Sequence, residues 1–172
     1  MSYDGRKNNL TGNTKSDEWY TPRFLVEKCY SEVRKFYVKP RILCPFDTEE
    51  SEFVKVGKEY GYNLEFNIVG NMDYEYDLLL TNPPFSINSF EMCLETKKDF
   101  MLIIPETFVF SVGFYNLLEK YRFNYKLYSP KQRVYFIDQD GKQNRPNFHT
   151  VIIYVSKDFT ENTIEHFYSE TK

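Results

Sequence analysis

Asn82-Pro83-Pro84-Phe85 follows directly on the apolar run Tyr76 to Leu80. Two consecutive prolines hold φ near about −65° and remove two backbone donors, so the chain leaves that run in a stiff extended turn with its carbonyls fixed in direction. Asn82 offers a side-chain carbonyl and Pro83 a backbone carbonyl as neighbouring acceptors. Two acceptors facing one exocyclic amine on a planar ring can take both of its hydrogens. The nitrogen, otherwise conjugated into the ring, can then pyramidalise and expose its lone pair to an electrophile. Phe85 supplies a face on which such a ring stacks. This chemistry needs neither a metal nor a covalent intermediate, and the sequence encodes no metal site, with only two histidines and three scattered cysteines.

The elements that must position this turn read as alternating strands and helices. From Pro22, apolar residues Phe24, Leu25, Cys29, Val33, Phe36 and Tyr37 recur at three-to-four spacing, which predicts an amphipathic helix over roughly 22–37. Arg41 to Phe46 reads as a short strand. Asp47 or Thr48 then caps a helix running to about Tyr60 and stopped by Gly61. A strand around Asn63 to Val69, a Gly-Asn-Met-Asp turn and the strand Tyr76 to Leu80 follow, the last without alternation, as in a strand buried on both faces. Next come a helix around Ser89 to Lys97, a strand Phe100 to Ile104 and a helix around Gly113 to Tyr121. Lys126 to Tyr128, Arg133 to Ile137 and Thr150 to Ser156 read as strands around a polar loop, Asp138 to Asn147. This order predicts an α/β sandwich with a mostly parallel sheet and an antiparallel edge. Ligands of such sheets sit beyond the carboxyl ends of the strands, where both the Asp47 turn and the Asn82 turn fall. Residues 1–16 read as a flexible arm, 17–160 as the core and 161–172 as a polar tail.

Composition narrows the classes. The 172 residues suit one domain, and 22 Lys plus Arg against 25 Asp plus Glu leave a net charge of −3, so any grip on nucleic acid must be local. The odd cysteine count points to a reducing, cytoplasmic setting. The greasiest region, Phe100 to Leu118, is broken by Pro105, Glu106 and Gly113, which argues against a membrane span.

Asn82 to Phe85 resembles motif IV of the S-adenosylmethionine-dependent amino-methyltransferases, Asn/Asp-Pro-Pro-aromatic. Asp17-Glu18-Trp19-Tyr20-Thr21-Pro22 is similar to the Glu-Trp-Tyr-Thr-Pro opening of phage and prophage DNA adenine methyltransferases. With Cys44-Pro45-Phe46-Asp47-Thr48-Glu49-Glu50-Ser51, the likeness covers roughly residues 17 to 156. It implies a Rossmann-like class I methyltransferase core that methylates the N6 amine of adenine in DNA, in the cytoplasm of the host cell if phage-encoded. Trp19, Tyr20, Thr21 and Pro22 would then lie at the cofactor, Thr21 and Pro22 near its methionine end. Pro45, Phe46 and Asp47 would form the first-strand turn, and Asp73 with Tyr74 would meet the cofactor adenine. Asn82, Pro83 and Phe85 would hold the target base. The cofactor carries a sulfonium and an ammonium, which suits a pocket lined by Asp47, Glu49 and Asp73. Thr48-Glu49-Glu50 stands where most of the wider class has a glycine-rich turn.

Target binding has two candidate regions: the arm with Arg6 and Lys7, and Ser129 to His149. In the second, Lys131, Arg133, Lys142 and Arg145 lie among Tyr135 and Phe148, a composition able to hold phosphates and stack on a displaced base. His149 reads as structural. A different class of function stays open, a degenerate fold of this kind that binds nucleic acid or protein without catalysis, as does assembly as a homodimer or with a partner protein.

Overall fold

Pro22, in extended backbone, opens helix α1 (Arg23–Phe36), which buries Leu25, Val26, Cys29, Tyr30 and Val33 along one face. Strand β1 (Arg41–Cys44) follows, then helix α2 (Glu52–Glu59), strands β2 (Asn63–Phe66) and β3 (Leu78–Thr81), and helix α3 (Ile87–Glu95). Strand β4 (Asp99–Pro105) runs directly into a single-turn helix α4 (Glu106–Val109), followed by α5 (Val112–Tyr121) and β5 (Asn124–Pro130). A short ribbon of β6 (Phe136–Ile137) and β7 (Gln143–Asn144) precedes β8 (Thr150–Ser156) and β9 (Thr163–Phe167). The computed structural model describes residues 20–67, 74–83, 86–138 and 140–168.

Seven strands form one sheet in the order β2-β1-β3-β4-β8-β5-β9. Its first four are parallel, and β8 runs antiparallel to both neighbours, β4 and β5. The expected mostly parallel sheet with an antiparallel side is therefore present; β8 is the reversed strand, with β5 and β9 outside it. Every residue of β3 and β8 is buried, the signature of strands covered on both faces. Alternation in β4 divides the core. Phe100, Leu102 and Ile104 face α3, α4 and α5, while Met101 and Ile103 face α1 and α2. Burial of each such side chain stabilises the fold by about 1.5–3 kcal/mol before entropy is charged against it.

Several local expectations change. The cap of α2 is Ser51, whose hydroxyl accepts from the Phe53 amide at 3.2 Å, and not Asp47 or Thr48. Asp47 instead stays in the turn, its own amide bonded to the Cys44 carbonyl at 3.2 Å. The strand read over Arg133 to Ile137 shrinks to β6, which pairs with β7 inside the polar loop and stays apart from the main sheet. Thr163–Phe167, in the segment read as a tail, joins the sheet as β9 beside β5. Its pattern, exposed at Ile164, Glu165 and His166, is that of an edge strand and carries little hydrophobic signal. Helix α4 was not expected; Pro105 in extended backbone starts it, as proline commonly does at a helix entrance.

Candidate active site

Strand β1 has β2 on one side and β3 on the other, so the chain order reverses between β1 and β3, where a crevice opens beyond their carboxyl ends. Asp47 leaves β1 and Asn82 leaves β3 at this point. One Asp47 carboxylate oxygen accepts from Thr81 Oγ1 at 2.9 Å and the other from Ser51 Oγ at 2.7 Å. The β1 turn is thereby tied to the last residue of β3, immediately before Asn82. Asn82 Nδ2 donates to Thr21 Oγ1 at 3.1 Å, which ties the same turn to the entrance of α1. With the amide in this orientation, its carbonyl is turned away from Thr21 as an acceptor. Thr21, Pro22, Pro45 and Pro83 are buried, and Asn82 and Asp47 are partly buried.

Burial pushes the Asp47 carboxyl up to about 6, against the two hydroxyl hydrogen bonds that favour its charged form. A cation brought against it would offset the lost solvation and return it to the ordinary carboxylate range. Arg23 braces the entrance of α1, reaching Glu27 at 2.7 Å on its own helix and Glu52 and Glu59 on α2. Thr21 is thus held relative to the helix that follows the Asp47 turn.

The segment before α1 is held from the other side by the ribbon. Tyr20 and Ile137 exchange backbone hydrogen bonds at 2.7 and 3.1 Å in an antiparallel bridge. Asp138 closes the ribbon, accepting from the Asp140 and Lys142 amides at 3.0 and 2.8 Å and from Asn144 Nδ2 at 3.0 Å. Those bonds hold its carboxyl below the usual range.

A second concavity, about 540 Å³, opens at the same edge of the sheet, where β4 and β5 end and β8 begins. Lys131, Arg133 and Arg145 line it together with His149, His166 and Glu106. His149 Nε2 and Ser129 Oγ lie 2.9 Å apart, and pairing of Ser129 with His166 in the β5–β9 register brings the second histidine to the same wall. Lys131 Nζ lies 4.8 Å above the Tyr168 ring. Lys142 does not line this cleft; it sits exposed on the ribbon.

The structure therefore brings together Thr21, Asp47, Asn82 and Pro83 in one place, and Lys131, Arg133 and Arg145 in another. Phe46 and Tyr74 are exposed. Glu49 and Glu50 point outward, toward Lys58 at 3.3 Å and Lys55 at 3.5 Å, and so do not join Asp47. Trp19, Asp73, Phe85 and the arm lie outside the described residues. Sequence reasoning missed Ser51 and Thr81 as the groups that hold Asp47; only the Asp47-to-Ser51 spacing hinted at one of them. Among the described residues no cluster of His, Cys, Asp or Glu could hold a metal ion, and no helix is long and apolar enough to cross a membrane.

No protein-family model and no curated protein matches the sequence. Solved structures do match in fold. One is a protein assigned as the modification subunit of a type I restriction enzyme from Vibrio vulnificus, with a TM-score of 0.55 and 13% identity over 98% of this chain. The chain spans half of that protein's length. Another is a protein assigned as a class I S-adenosylmethionine-dependent methyltransferase from Listeria monocytogenes. It has a TM-score of 0.54 and 9% identity over 89% of this chain and 67% of its own. The fold is accordingly the Rossmann-like methyltransferase sandwich.

Proposed function

We propose that this chain transfers a methyl group from S-adenosylmethionine to the N6 amine of adenine in DNA. The observation that carries the reading is the Thr21–Asn82 bond beside the Thr81–Asp47 bond, which sets an oriented amide acceptor and a partly buried carboxylate side by side at the switch point. The likeness in fold to the restriction-enzyme modification subunit supports the choice of DNA.

The donor set fits the cofactor's chemistry. Asp47 is a carboxylate whose charged state is costly without a cation nearby, and a sulfonium or ammonium is such a cation. Thr21, Pro22 and Asp47, with Trp19, Tyr20, Pro45, Phe46, Asp73 and Tyr74 as the resemblance suggests, would hold it. When bound it supplies an electrophilic methyl group. Asn82 accepts one amine hydrogen through its side-chain carbonyl, Pro83 accepts the other through its backbone carbonyl, and Phe85 stacks on the base. Thr21 holds the Asn82 amide through its nitrogen, which leaves the oxygen as the acceptor. Rate then arises from proximity and oriented acceptors. Lys131, Arg133 and Arg145 neutralise phosphates in the basic cleft, with Lys142 reaching the backbone from the ribbon.

The test is to incubate the protein with S-adenosylmethionine and unmethylated DNA, digest the DNA to nucleosides and measure N6-methyladenine by mass spectrometry, with Asn82→Ala alongside. Product from the wild type and little from the variant is expected. Absence of product on single- and double-stranded DNA, or equal product from Asn82→Ala, overturns the reading.

A further inference from the structure

Phe110 and Val112 are large apolar side chains left 62% and 74% exposed, on either side of Ser111. Solvent exposure of such residues is ordinary when they are scattered, but these two share one rigid turn beside the candidate active site. Ser111 Oγ donates to the Phe108 carbonyl at 2.9 Å and accepts from the Phe114 amide at 3.2 Å, so the turn between α4 and α5 is locked and both apolar neighbours are presented outward. Phe108, two residues earlier, lines a small cavity with Pro83 and Ser86, which bracket the proline turn. Gly113, just after Val112, packs against Ile87, where an added Cβ would lie 3.5 Å from the isoleucine Cδ1. Ile87 is itself partly exposed and begins α3 immediately after that turn. Glu106, at the other end of α4, is a wall of the basic cleft. One short helix therefore spans from the cleft that suits phosphates to the turn that suits the base, and ends in an apolar tip.

We infer that Phe110, supported by Val112, is a wedge that enters the base stack of duplex DNA and fills the gap left when the target base turns out toward Asn82. This inference rests on the adenine-methylation reading and adds to it the group that makes a duplex a usable substrate. A base inside a duplex cannot reach a recessed turn, and extrusion leaves a void that an apolar side chain can occupy. Nucleic acid is the favoured occupant because the tip adjoins a cationic cleft on the same sheet edge, whereas a second copy of this chain would bring the same cationic surface against itself. The capped turn holds the wedge in place beforehand, so little ordering cost is incurred on contact.

The test compares wild type, Phe110→Ala and Phe110→Trp on unmethylated duplex DNA and on the same DNA after heat denaturation. N6-methyladenine and the melting temperature of each protein are measured. In Phe110→Ala the ratio of duplex to denatured methylation should fall by at least about tenfold, and Phe110→Trp should restore it, with melting temperatures unchanged. Where the wild type acts on the duplex alone, the same tenfold loss of duplex rate with rescue by tryptophan is the supporting result. An unchanged ratio overturns the wedge, including the case in which both rates fall together, as they would for a surface of self-association. A wild type that yields no N6-methyladenine on either DNA instead removes the adenine reading, and the wedge with it.

Discussion

The Asn82 side-chain amide donates to the Thr21 hydroxyl at 3.1 Å, joining the turn after β3 to the residue that precedes Pro22 and α1. This bond holds the side chain of the turn against the entrance of α1. Without it the amide loses a fixed partner, and an acceptor that is no longer held in place meets an amine hydrogen less well. Thr21→Val should therefore lower the methylation rate by about tenfold, the equivalent of one hydrogen bond of about 1.4 kcal/mol, whereas Thr21→Ser should stay near the wild type. Steady-state kinetics on unmethylated DNA read both. A rate in Thr21→Val equal to that of Thr21→Ser would show that Asn82 is oriented by something else.

Asp47 gives a dependence on pH. Its carboxyl is pushed up to about 6 by burial, so in the free protein it is largely protonated at pH 5 and charged at pH 7.5. A cationic cofactor prefers the charged form. Affinity for S-adenosylmethionine, read by calorimetry, should rise from pH 5 to pH 7.5 and then level, and in Asp47→Asn it should be weaker and flat. Stability runs the opposite way. A carboxyl raised in the folded state keeps its full contribution below the unfolded value of 3.8 and loses it as pH passes 6. Asp47→Asn should thus gain stability over the wild type at pH 8, by up to about 3 kcal/mol for a two-unit shift, less at about pH 4.5 and not at about pH 3. Urea melts at these pH values check the sign.

Lys131, Arg133 and Arg145 meet in the cleft although Arg133 and Arg145 are separated by the whole ribbon. Each would neutralise about one phosphate. Arg133→Ala and Arg145→Ala should each weaken DNA binding and reduce the slope of log affinity against log salt by about 1, leaving affinity for S-adenosylmethionine intact. Lys142→Ala, on the ribbon, should change binding less. An unaltered salt slope in both arginine variants would place the phosphates elsewhere.

The order of elements was legible because strands β3 and β4 and helix α1 carry strong periodic or unbroken apolar patterns. The place of Asn82 was legible because the unbroken apolar run before it marks the buried strand β3 that it leaves. What escaped was set by tertiary partners. The pairing of β9 depends on β5, not on its own mixed pattern, so Thr163–Phe167 resembled a polar tail. Glu49 sat beside Asp47 in sequence and so suggested a shared acidic pocket, but its side chain turns to Lys58 while Asp47 turns inward to Thr81. Ser51 caps α2 because the helix begins at Glu52, five residues beyond Asp47, which is engaged instead with Thr81 across the sheet. Sequence proximity cannot reveal which of two neighbouring carboxylates has a hydroxyl partner 34 positions away.

Gly57 gives a test of the support beneath the site. It lies within α2, where glycine ordinarily weakens a helix by about 1 kcal/mol relative to alanine. Its retention here has a steric cause: an added Cβ would overlap the Tyr30 hydroxyl and approach Leu64 Cδ1 at 2.7 Å. Tyr30 cannot easily yield, since its hydroxyl donates to the Phe53 carbonyl at 2.6 Å and its ring stacks on Tyr62 with centroids 5.6 Å apart. Overpacking therefore outweighs the helix gain, and Gly57→Ala should destabilise the protein by about 1–3 kcal/mol in urea melts. A shift of α2 also moves Ser51, which caps it and holds Asp47, so affinity for S-adenosylmethionine should fall in the same variant. Adding Tyr30→Phe removes the overlapping oxygen and should recover part of both losses, although that change alone costs the hydrogen bond to Phe53. A double variant less stable than Gly57→Ala by the full cost of Tyr30→Phe alone would show that the two residues do not meet.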